Sequence, residues 1–223
     1  MVILFKSFFR ICKYYVFGKN SEITNKLISL KNTENEYILI DRNSDIFNDI
    51  RRIEISNEKF GIIYISSILT PVKFYNRELE SIYEQYKINA VVPIQLIEYL
   101  NDKSSTAFDF IYVSTESSIK GSFDSGYAIT KNAVEFFIRE IYLKNPMSRV
   151  LCLAPSTITD AGMTTRRQDT ERLSEYEATH PKKRFLTALE VAKIIVLLTG
   201  DEFSYLTNTT IELNGGKFAR KKL

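Results

Sequence analysis

Apolar runs of strand length alternate along this chain with longer stretches whose apolar residues recur at helical spacing. The segments "KYYVFG" (13–18), "EYILID" (36–41), "RRIEIS" (51–56), "FGIIYISSI" (60–68), "FDFIYVST" (108–115), "SRVLCLAP" (148–155) and "TTIEL" (209–213) predict seven strands. Helices are predicted over "SEITNKLISLK" (21–31), from about Asn76 to Leu100, from about Tyr127 to Leu143, and over "ALEVAKIIVLLTG" (188–200). Several strands are apolar at consecutive positions, as in a strand covered on both faces. Strand and helix in alternation give a doubly wound parallel α/β sheet, a Rossmann-like fold of about seven strands with helices on both faces. Ligands of such sheets bind beyond the carboxyl ends of the strands. The polar segment 156–187 is the one long stretch without periodicity and is expected to form a substrate lid.

Composition narrows the picture without changing it. A chain of 223 residues fits a single domain with a sizeable core, and 44% hydrophobic with 26% charged residues is ordinary for a globular protein. The net charge of +3 comes from scattered charges of both signs, so nucleic acid is not an implied partner. Two isolated cysteines and one histidine argue against a disulfide framework or a metal site and fit a reducing cytoplasm. The N-terminal "MVILFKSFFRICKYYVF" is interrupted by Lys6, Arg10 and Lys13, too soon for a membrane span. Residues 1–12 are therefore expected to be an extra apolar segment packed on the domain or on a partner subunit.

Candidate chemistry lies at the strand ends. Gly18 after the first strand can make a tight turn, with Asn20 or Ser21 starting a helix whose first amides, Glu22 and Ile23 included, can receive a pyrophosphate. Asp41 closes the second strand, where an acid bonds the adenine ribose hydroxyls of NAD; Arg42 beside it suits the 2′-phosphate of NADP. The tyrosine–lysine spacing Y-x-x-x-K occurs at Tyr15/Lys19, Tyr83/Lys87, Tyr99/Lys103 and Tyr127/Lys131. Only the last follows a strand that ends in a serine, Ser114, thirteen residues before the tyrosine.

"YAITKNAVEFF" with Ser114 at that spacing, "YKINAV" (86–91), "LAPSTIT" (153–159) and "KRFLTALEVAK" followed by "TIELNGG" resemble the ordered motifs of the short-chain dehydrogenase/reductases, from about Lys13 to Lys217. The resemblance implies a catalytic set of Asn89, Ser114, Tyr127 and Lys131. Tyr127 would be the general acid/base, Ser114 would orient the carbonyl, and Asn89 would hold a relay water. Lys131 would lower the tyrosine pKa and hold the nicotinamide ribose. The cofactor would be NAD or NADP, with Asp41 favouring NAD. Glu54 and Ile55 would lie near the adenine, Ser66 and Ser67 along the cofactor, and Pro155, Ser156 and Ile158 at the nicotinamide. The glycine-rich loop departs from the family at Glu22 and Thr24, where a side chain could push the first helix from the strand. The implied reaction interconverts a carbonyl and a secondary alcohol on a small polar substrate such as an activated sugar, which the basic lid residues would suit. A 3-oxoacyl-type reductase and a cofactor-impaired, non-catalytic scaffold are the alternatives. A homodimer or homotetramer through the two long helices is also implied.

Overall fold

The computed structural model describes residues 12–31, 35–41 and 58–219; the predicted strand 51–56, together with Arg42, Glu54, Ile55 and nearly all of the N-terminal segment, lies outside them. The described residues form β1 (Cys12–Phe17), α1 (Glu22–Ser29), β2 (Asn35–Ile40), β3 (Phe60–Tyr64), α2 (Leu79–Tyr86), α3 (Val92–Lys103), β4 (Phe108–Val113), α4 (Ser117–Lys120), α5 (Ser125–Glu140), β5 (Arg149–Pro155), α6 (Gly162–Thr165), α7 (Thr170–Thr179), α8 (Ala188–Thr199) and β6 (Thr209–Leu213). Six strands pair in parallel in the order β2-β1-β3-β4-β5-β6. The order reverses between β1 and β3, which opens a crevice at their carboxyl ends.

Consecutive apolar residues serve opposite faces of this sheet. Tyr15, Phe17, Ile62, Tyr64, Phe110 and Tyr112 pack with Leu96, Ile97 and Leu100 of α3 and Val134 and Ile138 of α5. Tyr14, Val16, Ile63, Ile111, Val113, Leu151 and Leu153 pack with Ile23 and Leu27 of α1 and Val191, Ile195 and Leu198 of α8. The period-2 alternation of side chains thus fills two cores at once.

The helix expected over 76–100 is interrupted, and the cause is in the sequence. Pro93 cannot donate to the carbonyl four residues back and crowds it. That carbonyl belongs to Asn89, and the chain makes a π-helical turn over Lys87–Val91 before α3 begins. Two buried tyrosines from the sheet cap the released carbonyls: Tyr112 Oη donates to Asn89 O and Tyr64 Oη to Ile88 O, both at 2.6 Å.

The segment 156–187 is more ordered than expected. It carries α6 and α7, neither with a buried residue, and its ends are tied together by a bridge between Ile158 and Leu186. α8 then starts with a reciprocal cap between Thr187 and Glu190. Among the described residues no helix is long and apolar enough to cross a membrane.

Candidate active site

Tyr127 sits in the first turn of α5. Asp124 caps that turn, accepting from Tyr127 N at 3.1 Å. The same carboxylate accepts from Thr70 N in the loop after β3 (2.8 Å), from Gln85 Nε2 on α2 (2.6 Å) and from Arg77 Nη1 (3.3 Å). One buried aspartate therefore fixes the start of α5 against the loops beside it. Gly126 leaves room for it, since a Cβ there would stand 2.3 Å from Gln85 Oε1 and push that side chain aside. Neither residue belonged to the expected set; a helix-capping Asp three residues before the tyrosine was the available signal.

Ser114 does not point at Tyr127. It is in phase with Phe108, Phe110 and Tyr112, on the face of β4 covered by α5, and its hydroxyl is taken up by Glu135 Oε1. Hydroxyls hydrogen-bonding with the tyrosine are those of Thr115, the next residue, and Ser67, in the loop after β3. Burial pushes the Tyr127 phenol up to about 12, and these two hydroxyls act against that rise. Thr115 rather than Ser114 is thus on the side of the phenol, because successive residues at a strand end face opposite ways.

Lys131, one turn after Tyr127, is buried. Its ammonium donates to Val113 O at 2.7 Å and lies 4.4 Å over the Tyr112 ring and 5.9 Å over that of Tyr127. Burial brings its pKa down to about 7, with Cys152 and Glu135 opposing. In an unfolded chain a lysine titrates near ~10.4, so between the two values the unfolded state binds a proton that the folded state does not. Stability then falls as pH drops from about 10 towards 7 and levels off below. Lys131→Met should remove that penalty, raising Tm at pH 7 by roughly 2–8 °C, with the gain vanishing near pH 10. Melts of both proteins at the two pH values check this; a lower Tm for the variant at pH 7 would contradict it.

Asn89 is buried and fully engaged. Its Oδ1 accepts from Ile68 N (2.8 Å) and Ser67 Oγ (3.3 Å), and its Nδ2 donates to Ile68 O (2.8 Å) and Thr130 Oγ1 (3.3 Å). With its main-chain carbonyl bonded to Tyr112, the residue fastens the loop after β3 to α5.

At the cofactor end, Gly18 has φ +116°, and a Cβ on it would meet Ser66 N at 3.0 Å. That leaves glycine as the residue suited to this turn. Ser21 caps α1 on Ile23 N. Thr24 does not force α1 away: it is buried, and its hydroxyl bonds Gly18 O at 2.8 Å, closing the turn. Glu22 is directed along the helix to Asn25 and Lys26, each at 3.0 Å. Asn20 is exposed in the turn, and Asp41 stands 3.7 Å from Lys19, both half exposed. Ser156 Oγ, just past β5, is buried and has no hydrogen-bond partner among the described residues. Pro155 and Ile158 are buried on either side of it. Among the described residues no group of His, Cys, Asp and Glu side chains could hold a metal ion.

The other tyrosine–lysine pairs have no such surroundings: Tyr15 is buried within β1, Tyr83 is exposed, and Lys103 pairs with Asp102. Several lid cations are also engaged locally. Arg167 pairs with Asp169, Arg184 with Glu190, and Lys183 caps Ala178 O.

Comparison with known proteins bears on the family and the fold. A family model described as enoyl-(acyl carrier protein) reductase matches residues 62–217, well over half of the chain. A short-chain dehydrogenase family protein from Francisella tularensis has a similar structure, with TM-score 0.79 and 20% identity over 94% of this chain and 100% of that one. The ligand-free aldohexose dehydrogenase of Thermoplasma acidophilum gives TM-score 0.75 and 19% identity over 96% and 97%. A protein of Beutenbergia cavernae assigned as an NAD(P)-dependent gluconate 5-dehydrogenase, solved with NADP at low occupancy, gives 0.77 and 16% over 95% and 99%. A parallel sheet with a tyrosine and a lysine one turn apart beyond its carboxyl edge, and a family match across that region, lead to one assignment. The chain belongs to the short-chain dehydrogenase/reductases, a family of oxidoreductases.

Proposed function

We propose that this protein is an NAD(P)-dependent oxidoreductase that interconverts a carbonyl and a secondary alcohol on a small polar substrate, with Tyr127 as general acid/base. The observation that carries the reading is the buried phenol of Tyr127 flanked by the Thr115 and Ser67 hydroxyls, with Lys131 on the same helix face. The residues at the strand ends fit a dinucleotide. Gly18 and α1 suit a pyrophosphate, Asp41 with Lys19 an adenine ribose, and the small Ser66 and Ser67 a close approach. The unpartnered Ser156 Oγ suits the carboxamide. An acid and a cation share the ribose position, so the pair does not select between NAD and NADP.

The cofactor would supply or accept the hydride. Thr115 would donate a hydrogen bond to the carbonyl oxygen and hold it at the phenol. Tyr127 would give its proton to that oxygen during reduction and take it back during oxidation. A phenol titrating at about 12 keeps its proton at neutral pH, as the acid role in reduction requires. Lys131, protonated, would stabilise the phenolate left behind. The exposed Ile129 and Phe136 on α5 and Val91 beside α3 support association through these helices.

The assignment of Thr115 separates cleanly from that of Ser114. Thr115→Val should lower kcat by about 100-fold, the cost of losing one donor to a developing oxyanion. Ser114→Ala should leave kcat within a few-fold. Steady-state rates of the two variants test this, and the reverse ranking would return the role to Ser114.

A further inference from the structure

Glu135 lies one turn after Lys131 on α5, and both side chains are buried in the core behind Tyr127. Residues four apart on a helix share a face, with Cβ atoms about 5–6 Å apart. Glu135 Oε1 takes the Ser114 hydroxyl, and Oε2 receives Thr210 Oγ1 from β6 at 3.4 Å. Lys131 in turn donates to the carbonyl of Val113, the residue before Ser114, at 2.7 Å. The end of β4 thus holds both charged side chains. A carboxylate is almost never fully buried unless an opposite charge answers it. The groups facing Lys131 are Tyr112 of β4, Cys152 of β5, and Tyr127 and Glu135 of its own helix. Burial pushes the two phenols and the thiol up, so all three are neutral around pH 7. Further out, Tyr64 acts on Tyr112 and the Arg139 guanidinium on Cys152. Among these described groups the carboxylate is therefore the anion that Lys131 meets.

We propose that Glu135 is a positioning residue for the reaction: its buried carboxylate favours the ammonium form of Lys131 and so keeps a positive charge one helical turn from Tyr127. This rests on the oxidoreductase reading and adds a residue to its machinery. The contacts of Glu135 are with Ser114 and Thr210, so its effect on the phenol passes through the field at Lys131. Both hydroxyls can donate, and the two carboxylate oxygens are satisfied without a proton of their own. Lys131 needs that support, because burial works against its ammonium form. Burial brings the group down to about 7, against the opposing influence of Cys152 and Glu135. Of these two the thiol keeps its proton at such a pH, which leaves the carboxylate to supply the charge. Without Glu135, burial would act unopposed and Lys131 would be mostly neutral around pH 7. A neutral amine cannot stabilise the phenolate that forms when Tyr127 gives up its proton. The position of Glu135 therefore decides whether the lysine at the expected spacing carries its charge.

The test reads Lys131 itself. Protein carrying 13C at the lysine ε-carbons is titrated by NMR from about pH 5 to 11, a range that covers buried and free lysines. Lys131 is the resonance that disappears in Lys131→Met. Glu135→Gln keeps the size of the side chain and can still accept from Ser114, but it carries no charge. In that variant the Lys131 midpoint should fall by about one pH unit, the lower end of what a nearby opposite charge supplies. Glu135→Asp restores the charge and should bring the midpoint back towards the native value. Should the Gln variant fail to fold, Glu135→Met, also uncharged and of similar length, carries the test with the same expected fall. A role confined to packing would change Tm in these variants and leave the Lys131 midpoint in place. An unmoved or raised midpoint in the folded Gln or Met variant would overturn the proposal, as would an Asp variant that titrates like the Gln one. The titration needs neither cofactor nor substrate. Absence of cofactor binding would thus strike the oxidoreductase reading, with the effect of Glu135 on Lys131 still measured.

Discussion

Tyr127→Phe should reduce turnover by a factor on the order of 10³ or more, at the upper end of what a positioned acid/base group supplies. The phenol oxygen is the atom that Thr115 and Ser67 approach, so removing it takes away the proton donor and leaves the ring in place. The ring is buried, and the main-chain cap on Asp124 does not involve the hydroxyl, so α5 should keep its position. Cofactor affinity should stay within a few-fold and Tm within a few degrees. Loss of turnover and of cofactor binding together would mean that the tyrosine is structural. Single-turnover rates beside a cofactor titration distinguish the two outcomes.

The second large effect is on stability and lies at the opposite end of the sheet. Asp109 and Arg149 are both buried on adjacent strands. Arg149 grips the carboxylate twice, through Nε at 2.8 Å and Nη2 at 2.6 Å. Tyr14 Oη donates to the same carboxylate at 2.8 Å, and Lys59 approaches at 3.3 Å. Asp109→Ala leaves a buried guanidinium without its counter-charge, which costs about 3–5 kcal/mol. Against a total stability of roughly 5–15 kcal/mol, that is enough to unfold much of the protein near 37 °C. Adding Arg149→Met should recover most of the loss, since an apolar pair of similar volume no longer buries a lone charge. Urea denaturation of the single and double variants measures both terms. A single variant within 1 kcal/mol of the native protein would contradict the account.

The fold could be read from the sequence largely because parallel strands have two apolar faces. Runs such as "DFIYV" and "VLCLA" admit few other placements, and each lies in the sheet with its side chains divided between the two cores. The interruption by Pro93 was also written in the chain. What periodicity could not show was that the freed carbonyls would meet phenols from β3 and β4. The sequence named Tyr127, Lys131 and Ser114 together, and the structure sets the first two on one helix but turns the third towards Glu135. Tyr127 and Lys131 stand on one helix face, but spacing alone could not decide between Ser114 and Thr115. The phase of β4 is what separates them: Ser114 continues the row Phe108, Phe110, Tyr112 and bonds Glu135, while Thr115 faces the other way. Thr24 shows the limit of motif reading from the other side. A side chain in a glycine position looks disruptive, yet its hydroxyl closes the turn that Gly18 opens.

The central claim is that a dinucleotide binds across the carboxyl ends of β1 to β5 and brings its reactive ring to Tyr127. Titration of the purified protein with NADH and with NADPH, followed by cofactor fluorescence, tests it most directly. Saturable binding below millimolar concentration for at least one of them, weakened by a bulky substitution such as Gly18→Val, is the expected result. Absence of binding of either cofactor at millimolar concentration would contradict it.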